Sequence, residues 1–195
     1  MNLRGLYALT PEGDDLERKV RLALEGGIAL LQYRSKRRSR AQAAAVVRLA
    51  QDYGVPVIIN DDVELALELG ADGAHLGRDD GDLGRARARL GGRILGASCY
   101  NELGLARTAL AAGADYVAFG SVFVSPTKPT AVRAPLALFG EAKALGVPLA
   151  AIGGVTLENA PQLIAAGADL LAVISDLFEA PDIRSRARAY GKLFT

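Results

Sequence analysis

The sequence predicts a compact single-domain (β/α)8 TIM barrel with short loops, on the basis of three observations. Short apolar runs alternate eight times with stretches of helical spacing along the 195 residues. The runs are nearly continuous, as at residues 56–59, which is typical of parallel strands covered on both faces. Gly-Ala-Asp recurs where three predicted helices give way to strands, as expected of a repeated βα unit. An open doubly wound sheet is the alternative architecture.

The elements follow from these patterns in chain order. The predicted strands are residues 3–10, 28–34, 55–60, 73–77, 93–99, 116–122, 148–154 and 170–175. The predicted helices are residues 14–25, 41–53, 63–69, 83–90, 102–112, 136–145, 157–166 and 183–192. Glycine just past a helix, as at Gly70 and Gly167, supplies the left-handed residue that ends it. We expect residues 1–195 to form one catalytic domain.

Composition excludes several classes of function. The 23 Lys and Arg residues nearly balance the 22 Asp and Glu residues, so no broad basic surface is available for nucleic acid or an anionic membrane. The single cysteine and single histidine exclude a disulfide framework and a multi-histidine metal site, and we interpret Cys99 and His75 as structural. The sequence has neither a signal-peptide pattern nor about 18 consecutive apolar residues, so we expect a cytoplasmic protein.

Cations gather at the end of the second predicted strand. In a barrel of this type the active site lies at the carboxyl ends of the strands. Gln32, Arg34 and Lys36 alternate there at period two and therefore project to one side of an extended chain. An amide donor beside two cations suits phosphate oxygens. A solvated strand end with ordinary salt bridges is the alternative.

Carboxylates follow the next two predicted strands. Asp61 and Asp80 would converge across the mouth of the barrel, where Mg²⁺ binds through one or two carboxylates and substrate phosphates. The alternative for Asp61 or Asp62 is to cap the helix that begins near Val63. We favour Asp62 as the cap and Asp61 as the site residue.

The last strands and one loop carry further anion-binding signals. Gly153 and Gly154 precede a helix, where bare backbone N–H groups bind anions, and Ser175 ends the following strand. Lys128 lies in a loop that two prolines stiffen, together with two hydroxyl residues. A plain turn and a plain surface loop are the alternatives.

Taken in order, these strand ends resemble those of the thiamine-phosphate synthase family. The resemblance covers about residues 3 to 180. It rests on QYRSK (32–36), INDDVELA (59–66), GADGAHLGRDD (70–80), GAS (96–98), GADYVAFG (113–120), TKP (127–129), AIGG (151–154) and AVIS (172–175). It implies that a hydroxymethylpyrimidine diphosphate is joined to a thiazole phosphate, and that diphosphate departs first to leave a pyrimidine-stabilised cation.

The resemblance also implies a role for each matching residue. The diphosphate would be held at Gln32, Arg34, Lys36, Asn60, Ser98 and Lys128, and Mg²⁺ at Asp61 and Asp80. The thiazole phosphate would be held at Ser125, Thr127, Gly154, Ile174 and Ser175. Of these, the expected catalytic residues are Arg34, Lys36, Ser98 and Lys128. Ser125 stands where the family usually has Thr, and Arg78 where it often has Gln.

Two other functions compete with this interpretation. The thiazole tautomerase branch resembles the synthase in fold and sequence, needs no Mg²⁺ and typically loses the metal carboxylates and the Asn-Asp pair. This chain keeps Asn60, Asp61 and Asp80, which favours the synthase. A non-catalytic barrel that binds thiamine precursors is the third reading. The expected partners are small-molecule substrates, and the sequence leaves open whether copies assemble into a homo-oligomer.

Overall fold

A computed structural model describes residues 3–37, 39–124 and 132–195. Eight parallel strands form a closed barrel in sequence order, and β8 pairs with β1. This confirms the predicted (β/α)8 barrel and excludes the open sheet. The strands are β1 (Gly5–Leu9), β2 (Leu30–Tyr33), β3 (Val57–Asn60), β4 (Gly73–Leu76), β5 (Ile94–Tyr100), β6 (Tyr116–Gly120), β7 (Leu149–Ile152) and β8 (Leu170–Val173).

Helices follow every strand and pack outside the barrel. They are α1 (Leu16–Glu25), α2 (Arg40–Asp52), α3 (Val63–Leu69), α4 (Leu83–Leu90), α5 (Leu103–Ala111), α6 (Ala137–Ala142), α7 (Ala160–Ala166), α8 (Ser175–Phe178) and α9 (Ile183–Gly191). The bounds of α3 and α4 match the prediction. The predicted helix 136–145 instead ends as a 3₁₀ turn at Lys143–Leu145, and the short α8 was not predicted. Among the described helices, none is long and apolar enough to span a bilayer.

The recurring Gly-Ala-Asp joints fasten neighbouring strands at the bottom of the barrel. The carboxylates of Asp72, Asp115 and Asp169 each accept an N–H from the first or second residue of the preceding strand, at 2.8, 2.7 and 3.0 Å. The glycine before each joint has a positive φ, 66° at Gly70 and 116° at Gly167. In each Gly-Ala-Asp joint the glycine therefore ends a helix, and the aspartate accepts a backbone N–H near the start of a strand.

Two tyrosines fill the interior of the barrel. Tyr7 and Tyr116 are fully buried and meet edge to face, with ring centroids 5.9 Å apart. Small side chains such as Ala118 and Ala150 share this inner core. A Cβ added to Gly96 would lie 2.2 Å from Cζ of Tyr116, so only glycine leaves room for this ring on β5. The two phenol rings thus bring hydroxyl groups into the interior of the barrel.

Candidate active site

The carboxyl ends of β2 and β3 enclose a cavity of about 320 Å³. Arg34 and Lys36 line one side of it, and Asn60 and Asp61 line the other. Within the described chain, neither Arg34 nor Lys36 forms an ion pair with a carboxylate. The two cations therefore have no counter-ion among the described residues and can bind an anion. The carboxylate of Asp61 in the same cavity can bind a metal ion that accompanies this anion.

Two residues from the end of β1 hold the cationic loop in place. The hydroxyl of Thr10, which is buried, donates to the carbonyl of Arg34 and accepts its N–H, both at 2.9 Å. The carboxylate of Glu12 accepts the N–H of Lys36 at 2.6 Å and the hydroxyl of Ser35 at 3.1 Å. These contacts fix the backbone and leave both cationic side chains to the cavity. Sequence reasoning missed Thr10 and Glu12, because polar residues after a first strand carry no signal of their own.

The two predicted metal carboxylates follow neighbouring strands, since β3 and β4 are paired and Asp80 lies in the turn after β4. Asp61 adopts the left-handed conformation, with φ 62°, and accepts a hydrogen bond of 2.5 Å from the side-chain amide of Asn60. Such a conformation costs a residue other than glycine about 1–3 kcal/mol and is a feature of functional sites. Asp80 accepts the N–H of Gly77 at 2.8 Å.

Asp62 caps α3, as predicted, because its carboxylate accepts the N–H of Leu65 at 2.9 Å. The capping role thus belongs to Asp62, whereas Asp61 lines the cavity with its carboxylate on the side-chain amide of Asn60. Among the described residues, no group of three or more His, Cys, Asp or Glu side chains could hold a metal by itself. Two carboxylates fit a cation such as Mg²⁺, which takes its remaining oxygens from water and substrate phosphates.

A buried chain of hydrogen bonds crosses the barrel from β2 to β5. The amide of Gln32 donates to Oη of Tyr7 at 2.5 Å, and Oη of Tyr7 lies 2.8 Å from Oη of Tyr116. Nδ1 of His75 lies 2.7 Å from the same Tyr116 oxygen, and Nε2 of His75 lies 2.8 Å from Oγ of Ser98. Burial lowers the pKa of His75 to about 4, so the ring is neutral at pH 7. The histidine is buried, and through Tyr116 and Tyr7 it links the predicted site residues Ser98 and Gln32.

The ends of β7 and β8 form a second polar region. Gly153 and Gly154 have φ values of 100° and 66°, and a Cβ at Gly154 would lie 2.5 Å from the carbonyl oxygen of Val124. The side chain of Asn159 braces this turn by donating to the carbonyl of Gly154 at 2.9 Å and accepting the N–H of Thr156 at 2.9 Å. Asn159 was not predicted.

Ile174 and Ser175 follow on β8 and open α8. The carboxylate of Asp176 joins the two strand ends, because it accepts the N–H of Leu157 at 3.3 Å and the hydroxyl of Tyr190 at 2.7 Å. The structure therefore brings Gly154, Ile174 and Ser175 to one end of the barrel, on neighbouring strands. Of the remaining predicted residues, Ser125, Thr127 and Lys128 lie outside the described residues.

Three further features bear on charge and reactivity. Arg78 pairs with Glu102 at 2.6 Å and lies 5.0 Å above the ring of Tyr100, so its charge is balanced locally.

Burial raises the pKa of the Cys99 thiol to about 12, which excludes a thiolate nucleophile at neutral pH. A cavity of about 350 Å³ between α1 and α9 lies away from the strand ends, and the Arg18 beside it pairs with Asp15.

Comparisons with known proteins agree with one another. A family model described as thiamine monophosphate synthase matches residues 6–177. Thiamine-phosphate synthase from Aromatoleum aromaticum is 60% identical over 201 residues, which cover 98% of this chain and 97% of the relative. The same enzyme from Methylobacillus flagellatus is 54% identical over 200 residues, covering 98% and 96%. The solved structure of thiamine phosphate pyrophosphorylase from Pyrococcus furiosus has a TM-score of 0.87 at 32% identity, covering 98% of this chain and 96% of that one.

Proposed function

Because the chain belongs to the thiamine monophosphate synthase family, we propose that it uses the cavity between β2 and β3 to expel diphosphate from a pyrimidine substrate. The substrates are 4-amino-2-methyl-5-hydroxymethylpyrimidine diphosphate and 4-methyl-5-(2-phosphoethyl)thiazole. The products are thiamine phosphate and diphosphate. The enzyme is a transferase, and its partners are these small molecules.

The reaction breaks one bond and forms one. The bond between the pyrimidine methylene carbon and the bridging diphosphate oxygen breaks, and its electron pair leaves with the diphosphate. The methylene cation is stabilised by the electron-rich pyrimidine ring. The lone pair of the thiazole nitrogen then forms the new C–N bond, and the positive charge ends on the thiazolium ring. No proton transfer and no protein nucleophile are needed.

The juxtaposition of opposite charges in one cavity carries this proposal. Arg34 and Lys36, which follow β2, line the same cavity as Asn60 and Asp61 at the end of β3. A leaving diphosphate gains negative charge as the bond breaks, so cations fixed beforehand stabilise the transition state more than the ground state. The braces from Thr10 and Glu12 keep the backbone of this loop from reorganising during the step. Ser98 and Lys128 complete the catalytic set that the family pattern assigns.

Asp61 and Asp80 are the residues that would hold Mg²⁺. A magnesium ion bound there would neutralise part of the diphosphate charge and orient the leaving group. The side-chain amide of Asn60 holds the Asp61 carboxylate at 2.5 Å, and the N–H of Gly77 holds that of Asp80 at 2.8 Å. Both carboxylates are therefore oriented by the protein before any ion binds.

The thiazole phosphate would bind at the ends of β7 and β8. Gly154, Ile174 and Ser175 would offer backbone N–H groups and a hydroxyl, and by the family pattern Ser125 and Thr127 would contact the same ligand. The brace from Asn159 supports this assignment, because it occupies the carbonyl of Gly154 and so orients that turn. Two anion sites at one mouth match a reaction between a diphosphate and a phosphate.

A coupled assay tests the proposal. Purified protein is given both precursors and Mg²⁺, and diphosphate release and thiamine phosphate formation are followed in parallel. We expect equal amounts of both products, and neither when one precursor or the metal is withheld. The absence of turnover with all components present would refute the synthase function. Formation of a rearranged thiazole without the pyrimidine substrate would support a tautomerase instead.

An isosteric pair of variants tests the metal assignment. Asp61→Asn removes the ligand charge at constant size and should lower kcat/KM by about 100-fold or more, since a metal ion contributes several kcal/mol of charge stabilisation. Asp52→Asn changes an exposed carboxylate at the end of α2 and should leave kcat/KM unchanged. Full activity of Asp61→Asn at low Mg²⁺ would remove Asp61 from the metal site.

A further inference from the structure

We propose that the hydrogen-bond chain from Gln32 to Ser98 runs in one direction only, so that Ser98 presents its hydroxyl proton, and not a lone pair, to the departing diphosphate. The inference rests on the proposed function for the identity of that anion. It makes His75 a positioning residue that acts through Ser98. The direction itself follows from the contacts and from a count of protons.

The chain has few ways to arrange its protons because it is sealed from water. Tyr7 is 1% exposed, Gln32 2%, His75 7% and Tyr116 0%. Only Ser98, at the end of the chain, is partly exposed. Every proton on the inner members must therefore find its acceptor inside the chain, because an unpaired buried donor is costly.

The amide of Gln32 sets the direction at the inner end. It donates an N–H to Oη of Tyr7, so it accepts nothing there. The hydroxyl proton of Tyr7 must then go to Tyr116, 2.8 Å away. The hydroxyl proton of Tyr116 must in turn go to Nδ1 of His75, 2.7 Å away. Neutral histidine accepts at one nitrogen and donates at the other, so Nε2 carries the ring proton.

The outer end follows from this tautomer. The N–H at Nε2 donates to Oγ of Ser98 over 2.8 Å. The hydroxyl proton of Ser98 is then left to point toward the mouth. The hydroxyl protons of both tyrosines and the ring proton of His75 are paired in this arrangement, and the proton left without a protein acceptor is that of Ser98, which the family pattern places beside the diphosphate.

With the amide nitrogen of Gln32 facing Tyr7, the other arrangements leave a buried proton without an acceptor. If Ser98 donated to His75, His75 would donate to Tyr116 and Tyr116 to Tyr7. Tyr7 would then accept two hydrogen bonds, and its own proton would be buried without an acceptor. A doubly protonated His75 would create the same unpaired proton on Tyr7. The amide nitrogen of Gln32 on Tyr7 and the burial of the inner members therefore favour the forward direction, by about tenfold or more.

This direction has a chemical consequence for Ser98. Because Nε2 of His75 already carries a proton, the ring cannot accept one from Ser98. Ser98 is thus a hydrogen-bond donor to the leaving group and not an activated nucleophile. The chemistry that fits this site is departure of diphosphate to leave a cation, without a covalent enzyme intermediate.

The tautomer of His75 tests the direction without any activity measurement. The chain contains one histidine, so ¹⁵N-histidine labelling of tag-free protein gives the signals of a single ring. Long-range ¹H–¹⁵N correlations at pH 7.5 distinguish the tautomers. We expect the neutral ring with the proton on Nε2. A ring with its proton on Nδ1, or on both nitrogens, would overturn the inference.

Two phenylalanine substitutions provide a matched pair for the same spectra. Tyr116→Phe removes the hydroxyl that donates to Nδ1 and should shift the Nδ1 resonance and raise the fraction of Nδ1-protonated ring. Tyr190→Phe removes an equally buried hydroxyl, which contacts Asp176 and no member of the chain, and should leave both ring resonances in place. Equal spectra for Tyr116→Phe and the unmodified protein would also overturn the inference.

A double-mutant cycle tests the link to catalysis. Ser98→Ala removes one donor to the developing charge and should lower kcat by about 100-fold. His75→Phe should lower kcat less, and the double variant should be no slower than Ser98→Ala alone. Effects that multiply would show that His75 acts independently of Ser98. Absence of turnover in the unmodified protein would refute the proposed function, whereas the tautomer would still report the direction.

Discussion

Mild acid should destabilise the folded chain through the buried histidine. Burial lowers the pKa of His75 from 6.5 to about 4 in the folded state, while the unfolded chain keeps the ordinary value. As the pH falls below 6.5, the unfolded chain takes up a proton that the folded chain refuses. The free energy of unfolding therefore falls between about pH 6.5 and pH 4 and changes no further through this group below that range. Between pH 7.5 and pH 5.0 the loss amounts to about 2 kcal/mol.

Urea unfolding followed by circular dichroism measures this loss. The comparison uses His75→Gln, which keeps an amide donor and acceptor at the site but does not titrate. Carboxylates contribute to the slope in both proteins, so only the difference between the two is attributed to His75. We expect the unmodified protein to lose about 2 kcal/mol more than the variant between pH 7.5 and 5.0. Equal losses would show that the folded state accepts the proton and would refute the argument from burial.

Two other substitutions test packing and the second anion site. Gly96→Ala places a Cβ against Tyr116 and should lower the free energy of unfolding by about 1–3 kcal/mol, whereas Gly104→Ala, in an open position on α5, should raise it by about 0.5–1 kcal/mol. Equal effects of the two in urea unfolding would contradict the packing argument. Asn159→Asp puts a carboxylate oxygen against the carbonyl of Gly154 and should raise KM for the thiazole phosphate by about tenfold without changing KM for the pyrimidine diphosphate. Parallel increases in both KM values would place Asn159 outside the thiazole phosphate site.

Much of the fold could be predicted because its signals are local. The spacing of apolar residues gave α3 and α4 their bounds, and glycine after a helix marked the joints at Gly70 and Gly167. The short helix α8 was missed because four residues, Ser175–Phe178, are too few to show helical periodicity. The helix predicted from residue 136 is shorter than expected because its last turn tightens into the 3₁₀ turn Lys143–Leu145.

The candidate site likewise contains residues that local sequence signals indicate and residues that they do not. Side chains at strand ends, such as Arg34 and Asp61, could be found because the fold class says where strand ends meet. The partners that hold them could not, because they come from distant parts of the chain. Thr10 contacts Arg34 across 24 residues, and the Tyr7 and Tyr116 hydroxyls meet across 109 residues. Such contacts form only when the barrel closes, so no local sequence pattern predicts them.

A crystal structure with Mg²⁺, diphosphate and thiamine phosphate would show where the leaving group binds. We expect the diphosphate between β2 and β3 against Arg34 and Lys36, with Mg²⁺ ligated by Asp61 and Asp80 and by diphosphate oxygens. We also expect Oγ of Ser98 within hydrogen-bond distance of the diphosphate. Diphosphate bound elsewhere on the barrel, or a metal ion that neither carboxylate touches, would refute the proposed site.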